Sequence, residues 1–145
     1  LNGNVLSLRR YARDAYYLFQ DLCLLSNGEK PILLKLNSIS KTLCWELIES
    51  ILSNHFKLFE SYPEFTFLQR EHVCPLMLKN LTIKYDFPTT MRMLRIVYIL
   101  LKKFNEILVI ECEIYFNMFI KFLEPSYPLW QRVISMEIFH GICMD

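Results

Sequence analysis

Apolar residues recur at helical spacing along nearly the whole chain, and no stretch sustains the strict alternation that marks a half-buried strand. The densest part, residues 87–125, holds two apolar helical patterns back to back, fenced by Pro88 and Pro125. In the first pattern Met91, Leu94, Ile96, Val97, Tyr98, Ile99, Leu100, Leu101 and Phe104 leave only a narrow gap, which Arg92, Arg95, Lys102 and Lys103 fill. At about 100° per residue those four charges fall within roughly a quarter turn. A helix apolar over most of its circumference needs cover on two or three sides, which places this one inside a layered helical array.

The rest of the chain reads as neighbours of that pair. Leu1–Arg10 has weak periodicity and predicts a short or frayed helix. From about Arg13 to Ser26, Ala15, Leu18, Phe19, Leu22 and Leu25 mark one helix face, and Asn27-Gly28 supplies a left-handed stop. A second helix is expected from a cap at Ser38 or Ser40 to about Ser53, with Leu43, Cys44, Trp45, Leu47, Ile48, Ile51 and Leu52 on its broad apolar side. Phe56, Leu58 and Phe59 suggest one short helical turn, and Pro63 suits the first position of the next helix. Pro75 lies inside that helix, so a kink or break is expected near Val73.

Asp86 is placed to cap the central pair, which breaks near Asn105. In its second member Glu106, Glu113, Asn117, Lys121 and Glu124 share one wet face, while Glu111 falls nearly opposite among apolar neighbours. A last helix follows Pro128, from Leu129 to about Met144. Helix starts at intervals of about 20–25 residues, separated by short turns, predict an all-α fold: an armadillo/HEAT-like α-solenoid of stacked antiparallel helices. Residues 1–145 read as a single helical-repeat domain, and the start at Leu1 rather than Met suggests a fragment.

Composition narrows the function classes. The 145 residues are 53% apolar with a net charge of +1, enough for a sizeable core but without the clustered basic surface of a nucleic-acid binder. Cys23, Cys44, Cys74, Cys112 and Cys143 are odd in number, widely spaced and set in apolar patterns, so they read as reduced core residues. No Cys-x-x-Cys spacing or histidine cluster suggests a metal site, and no cofactor is expected. The run Ile107–Leu123 approaches the length of a membrane span, but Glu111, Glu113 and Lys121 would each cost about 2.5–3.5 kcal/mol near a bilayer centre. No transmembrane segment and no signal peptide are read.

The sequence contains no glycine-rich phosphate loop, nucleophile elbow or zinc-protease motif, and an enzyme is not expected. His72 and Cys74, two residues apart on a helix, point away from each other and cannot pair as base and nucleophile. Glu111 is a candidate for a structural ion pair between helices, with Arg92, Arg95 or Arg132 as partner. Arg92, Arg95, Lys102 and Lys103 form the candidate partner-binding surface, for an acidic protein or lipid headgroups. Trp130, with Leu129, Val133 and Ile134 around it, reads as core before it reads as an interface anchor.

Several stretches resemble one family: Asp14–Cys23, Glu46–Leu52, Val73–Leu76, Met91–Arg95, Glu111–Glu113 and Pro128–Val133. They look like the regulatory region upstream of the Sec-seven domain in large Arf guanine-nucleotide exchange factors, and most closely like its Mon-two-type Golgi scaffolds, which lack the exchange domain. The resemblance implies a non-catalytic scaffold in endosome–Golgi vesicle transport, cytoplasmic and peripheral on trans-Golgi and endosomal membranes. It implies protein partners: a Dop-one-type protein, Arf-like small GTPases and self-association. The alternative it implies is a regulatory segment of an active exchange factor whose catalytic domain lies outside this chain. Three departures accompany the likeness. The family's Asn-aromatic-Asp box has no counterpart before Asp145; the preceding dimerisation region is missing unless residues 1–13 are its remnant; and the segment from Leu81 to Pro88 is shorter than in relatives.

Overall fold

A computed structural model describes residues 9–35, 39–83 and 87–144. The frayed helix expected before Arg9, Ser38 as an alternative cap and Asp86 as a cap all lie outside the described residues. The described residues are all-helical, without a strand. The helices are α1 (Arg10–Ser26), α2 (Lys41–Asn54), α3 (Phe56–Ser61), α4 (Pro63–Leu68), α5 (Cys74–Leu81), α6 (Phe87–Lys103), α7 (Val109–Phe122) and α8 (Leu129–Cys143). They fall into two compact units, Leu1–Ile96 and Val97–Asp145.

Local chemistry sets most boundaries in the first unit. At the end of α1, Gly28 takes a φ of 78°, its N–H bonds the Leu25 carbonyl, and the Glu29 N–H reaches back to the Leu24 carbonyl. That is the paired Schellman pattern, open to a residue without a Cβ. The α1 start lies three residues earlier than its periodicity suggests, at Arg10, behind an extended Arg9 that provides no side-chain cap. Ser40 is the cap of α2, its hydroxyl accepting the Leu43 N–H at 3.2 Å. Pro63 opens α4.

The break expected near Val73 is a π-helical segment, Gln69–Val73, joining α4 to α5. Pro75 brings no N–H and its ring would clash with the carbonyl four residues back in a regular α-helix. One wider turn relieves this, and the Cys74 N–H bonds the Gln69 carbonyl five residues earlier. The helix axis thus continues through the proline.

In the first unit α1 packs on α2 and also on α4 and the π-helical segment. Gln20 meets His72, and Asn27 meets Lys79, both pairs 52 residues apart. Equal offsets mean that α1 and the α4–α5 rod run in the same direction, as like helices do in successive layers of an α-solenoid. The core between them is aromatic: Phe19 meets Phe59, Phe59 meets Phe65 and Phe65 meets Tyr16, edge to face at 5.3–5.9 Å. Trp45, Ile48 and Leu52 of α2 are fully buried. Each such side chain contributes about 1.5–3 kcal/mol of transfer free energy.

The second unit consists of the last turns of α6, then α7 and α8. Helix starts at 87, 109 and 129 follow the expected interval, whereas those at 10, 41, 56 and 63 do not. Cys112, Tyr115, Phe119 and Phe122 form the buried side of α7, and α8 packs on that helix through Phe139, stacked on Phe116 at 5.9 Å. Tyr98 lies against Gly141 so closely that a Cβ there would come within 3.0 Å of its hydroxyl oxygen. Because α7 starts only at Val109, Glu106 sits in the preceding turn and Glu124 in the following one, off the wet face assigned to them.

Candidate interaction surfaces

Arg92, Arg95, Lys102 and Lys103 do lie on one continuous helix, but the structure gives them different tasks. In the first unit the Arg92 guanidinium reaches Glu46 of α2 at 2.5 Å, with both side chains partly exposed. This is an inter-helix ion pair, worth at most about 1 kcal/mol where solvent screens it. Arg95, one turn on, is exposed. In the second unit the Lys102 ammonium donates to the Tyr98 hydroxyl at 3.0 Å and sits 5.4 Å from the centre of that ring. Lys103 is exposed. Sequence spacing puts four cations on one face; it does not show that Glu46 has drawn Arg92 into the packing of α2.

Glu111 stands in the first turn of α7, half-buried, where the helix N-terminus favours a carboxylate. Two core assignments need correction. Cys143 is exposed, while Cys23, Cys44, Cys74 and Cys112 are buried, and all five are free thiols. Burial pushes the Cys23 and Cys44 thiols up, and that of Cys112 to about 11, so these are unreactive groups. Trp130 is half-buried, and of the neighbours taken to enclose it Leu129 and Val133 are exposed by 67% and 52%.

Sequence reasoning missed Asp21. It is completely buried, and its carboxylate accepts the N–H groups of Ile32, Leu33 and Leu34, each at 2.7 Å. A charged acceptor in this position fixes a loop that has no regular structure of its own. The loop after Pro31 is thereby held with Ile32 and Leu33 turned outward. The one available signal was an acid at a core position of α1, ten residues before a proline.

A surface pocket of about 140 Å³ opens beside the π-helical segment, lined by Cys23, Asn27, Glu29, Glu71, His72 and Lys79 among others. Burial holds the His72 imidazole below its ordinary value, against the pull of Glu29 and Glu71. A neutral ring can accept from the Gln20 amide, 3.4 Å away. Cys74 is buried within the first turn of α5. Among the described residues no cluster of His, Cys, Asp or Glu could hold a metal ion, and no helix is long and apolar enough to cross a membrane.

Residues 11–145 match the family described as Mon2/Sec7/BIG1-like, HUS domain. The chain is 38% identical to a "Protein MON2 homolog" of Xenopus laevis over 161 aligned positions, covering 98% of this chain and 9% of that protein. The human protein of the same name gives the same identity and coverage. "Protein MON2" of Saccharomyces cerevisiae is 30% identical, covering 99% of this chain and 9% of its own length. The chain therefore spans about a tenth of the length of the curated relatives it matches. No solved structure matches it. An all-helical chain whose residues from Tyr11 onward fit this one description, and which aligns with MON2 proteins from yeast to human, is a member of the Mon2/Sec7/BIG1-like family and carries its HUS domain.

Proposed function

We propose that this chain is a non-catalytic scaffold segment of a large peripheral Golgi protein, acting in endosome–Golgi vesicle transport by holding protein partners. The observation that carries the reading is the match of residues 11–145 to the HUS domain, together with relatives that bear the MON2 name. The fold supports it: helices stacked in layers present broad, rigid surfaces. The partners we propose are a Dop-one-type protein and Arf-like small GTPases, in the cytoplasm at trans-Golgi and endosomal membranes. Arg95 in the first unit, and Lys102 and Lys103 in the second, are exposed, and in each unit by itself they are candidates for contact with an acidic partner surface.

Capture of purified Dop-one-type protein and Arf-like GTPases by the chain, with and without Arg95→Glu and Lys103→Glu, tests the surface. Loss of capture by at least one of the two single variants, with unchanged helicity, is expected; undiminished capture by both removes these cations from the proposal. A second reading, a regulatory segment of an active exchange factor, is favoured by the Sec7/BIG1 part of the family description. Nucleotide-release assays separate the two. The scaffold reading expects no acceleration of nucleotide loss from an Arf-like GTPase by the parent protein, and acceleration would overturn it.

A further inference from the structure

The pocket beside the π-helical segment shares no residue with the cation face and has the opposite charge. About 140 Å³ in volume, it joins an apolar lining, Leu24, Pro75 and Leu76, to a polar one, Glu29, Glu71, His72 and Lys79. An apolar wall with a few convergent polar groups is how sites for small groups are built. Those polar residues come from three places in the first unit: the loop after α1, the π-helical segment and α5. The wider turn that accommodates Pro75 is the one that carries Glu71 and His72, and single π turns of this kind are frequent at functional sites.

Charge selects the ligand. Lys79 is already engaged, its ammonium donating to the Asn27 side-chain oxygen at 2.9 Å, and the Asn27 amide in turn donates to Glu29. Glu29 and Glu71 are both exposed, and both act on the His72 imidazole from separate parts of the chain. Among the described residues neither carboxylate is in an ion pair. Burial keeps the imidazole neutral, so two carboxylates stand against one ammonium and the pocket is left negative. An anion would meet both carboxylates, and a wholly apolar group would strip them of water without replacing it. A guanidinium suits the site better than an ammonium. Its planar fork bonds two carboxylates at once, it is more weakly hydrated, and its aliphatic stem can lie along the apolar lining. We propose that this pocket receives an arginine side chain presented by a partner polypeptide, with Glu29 and Glu71 on the guanidinium and Leu24, Pro75 and Leu76 along the stem. A polypeptide is the source because free arginine would bring its own carboxylate to the same negative rim. The site goes beyond the scaffold function and depends neither on the family assignment nor on the cation face.

Titration of the chain with N-acetyl-arginine amide tests the site, read from the NMR signals of the His72 ring, with His72→Gln to assign them. A saturable shift is expected with a Kd of about 1–10 mM, the range for one small group on a partly open surface. N-acetyl-citrulline amide, of the same shape without the charge, and free arginine should each bind about fivefold more weakly or worse. Glu29→Gln with Glu71→Gln should weaken arginine binding about tenfold at unchanged helicity, while Lys79→Met, which removes the opposing charge, should tighten it about threefold. Citrulline binding as tightly as arginine would overturn the guanidinium assignment, and free arginine binding as tightly as the blocked form would overturn the polypeptide source. Weaker arginine binding in Lys79→Met, or tighter binding of inorganic phosphate than of arginine, would make this an anion site and overturn the proposal outright. So would the lack of any saturable shift up to about 100 mM.

Discussion

The two units use the same residue types to different ends. In the first, Phe19, Phe59 and Phe65 are at most 2% exposed, and even a carboxylate, Asp21, is enclosed and fully bonded. In the second, Phe116 and Phe139 stack in a half-buried position, and Val109, Ile110, Ile114, Ile120, Leu129, Val133 and Met136 are all more than 40% exposed. The difference is one of neighbours. In the first unit α1 meets α2, α4 and the π-helical segment, so its apolar residues find cover in several directions; in the second, α7 and α8 pack on each other and on the end of α6, and several apolar residues on their remaining sides stay exposed. Apolar content therefore measures how much surface a helix is prepared to bury, and the number of layers present decides how much it does bury.

The largest expected effect tests that difference in the cores themselves. Phe59→Ala removes the ring that joins Phe19 to Phe65 and should cost about 3–5 kcal/mol in urea unfolding, the range for a large buried aromatic. Phe139→Ala in the second unit removes a ring that is only half covered, so roughly half that loss is expected. Equal losses would show that the second core is as tight as the first and would break the contrast.

Asp21 comes next. Removing its carboxylate in Asp21→Ala deletes three charge-assisted bonds, although the freed N–H groups of Ile32, Leu33 and Leu34 can turn to water. We expect a loss of about 2–3 kcal/mol and faster amide exchange confined to residues 29–35. If exchange rises across α2 as well, the loop supports the layer rather than merely being held by it. The equivalent experiment has no counterpart in the second unit, where the described buried polar residue, Ser135, bonds only within its own helix.

What was legible in the sequence follows the range over which each signal acts. Gly28, Ser40, Pro63 and Pro75 determine backbone geometry within a few residues of themselves, and each marks its boundary or break in the structure. Periodicity likewise located the helices and the all-α class. It ranked Leu43, Leu47, Leu129 and Val133 as core, and all four are substantially exposed. Helical spacing says which residues share a face, not whether a neighbour lies over it. Arg92 and Asp21 were beyond reach for a related reason: their partners, Glu46 and the loop after Pro31, are remote in sequence and follow no fixed spacing.

The smallest effect sharpens the comparison through pH. Burial lowers the His72 pKa in the folded chain beneath the 6.5 of an unperturbed histidine, with Glu29 and Glu71 opposing the shift. Between the two values the unfolded chain holds more protons than the folded one, so stability rises with pH across that interval. The first unit thus keeps its full stability above about pH 6.5 and loses part of it as the pH falls towards the folded value. His72→Gln retains a polar partner for Gln20 and removes the titration. Urea midpoints measured from pH 7.5 down to pH 5 should therefore fall more steeply for the wild type than for the variant. If the two slopes coincide, the imidazole is as hydrated as a surface group, and the close packing of α1 against the π-helical segment does not extend to the pocket.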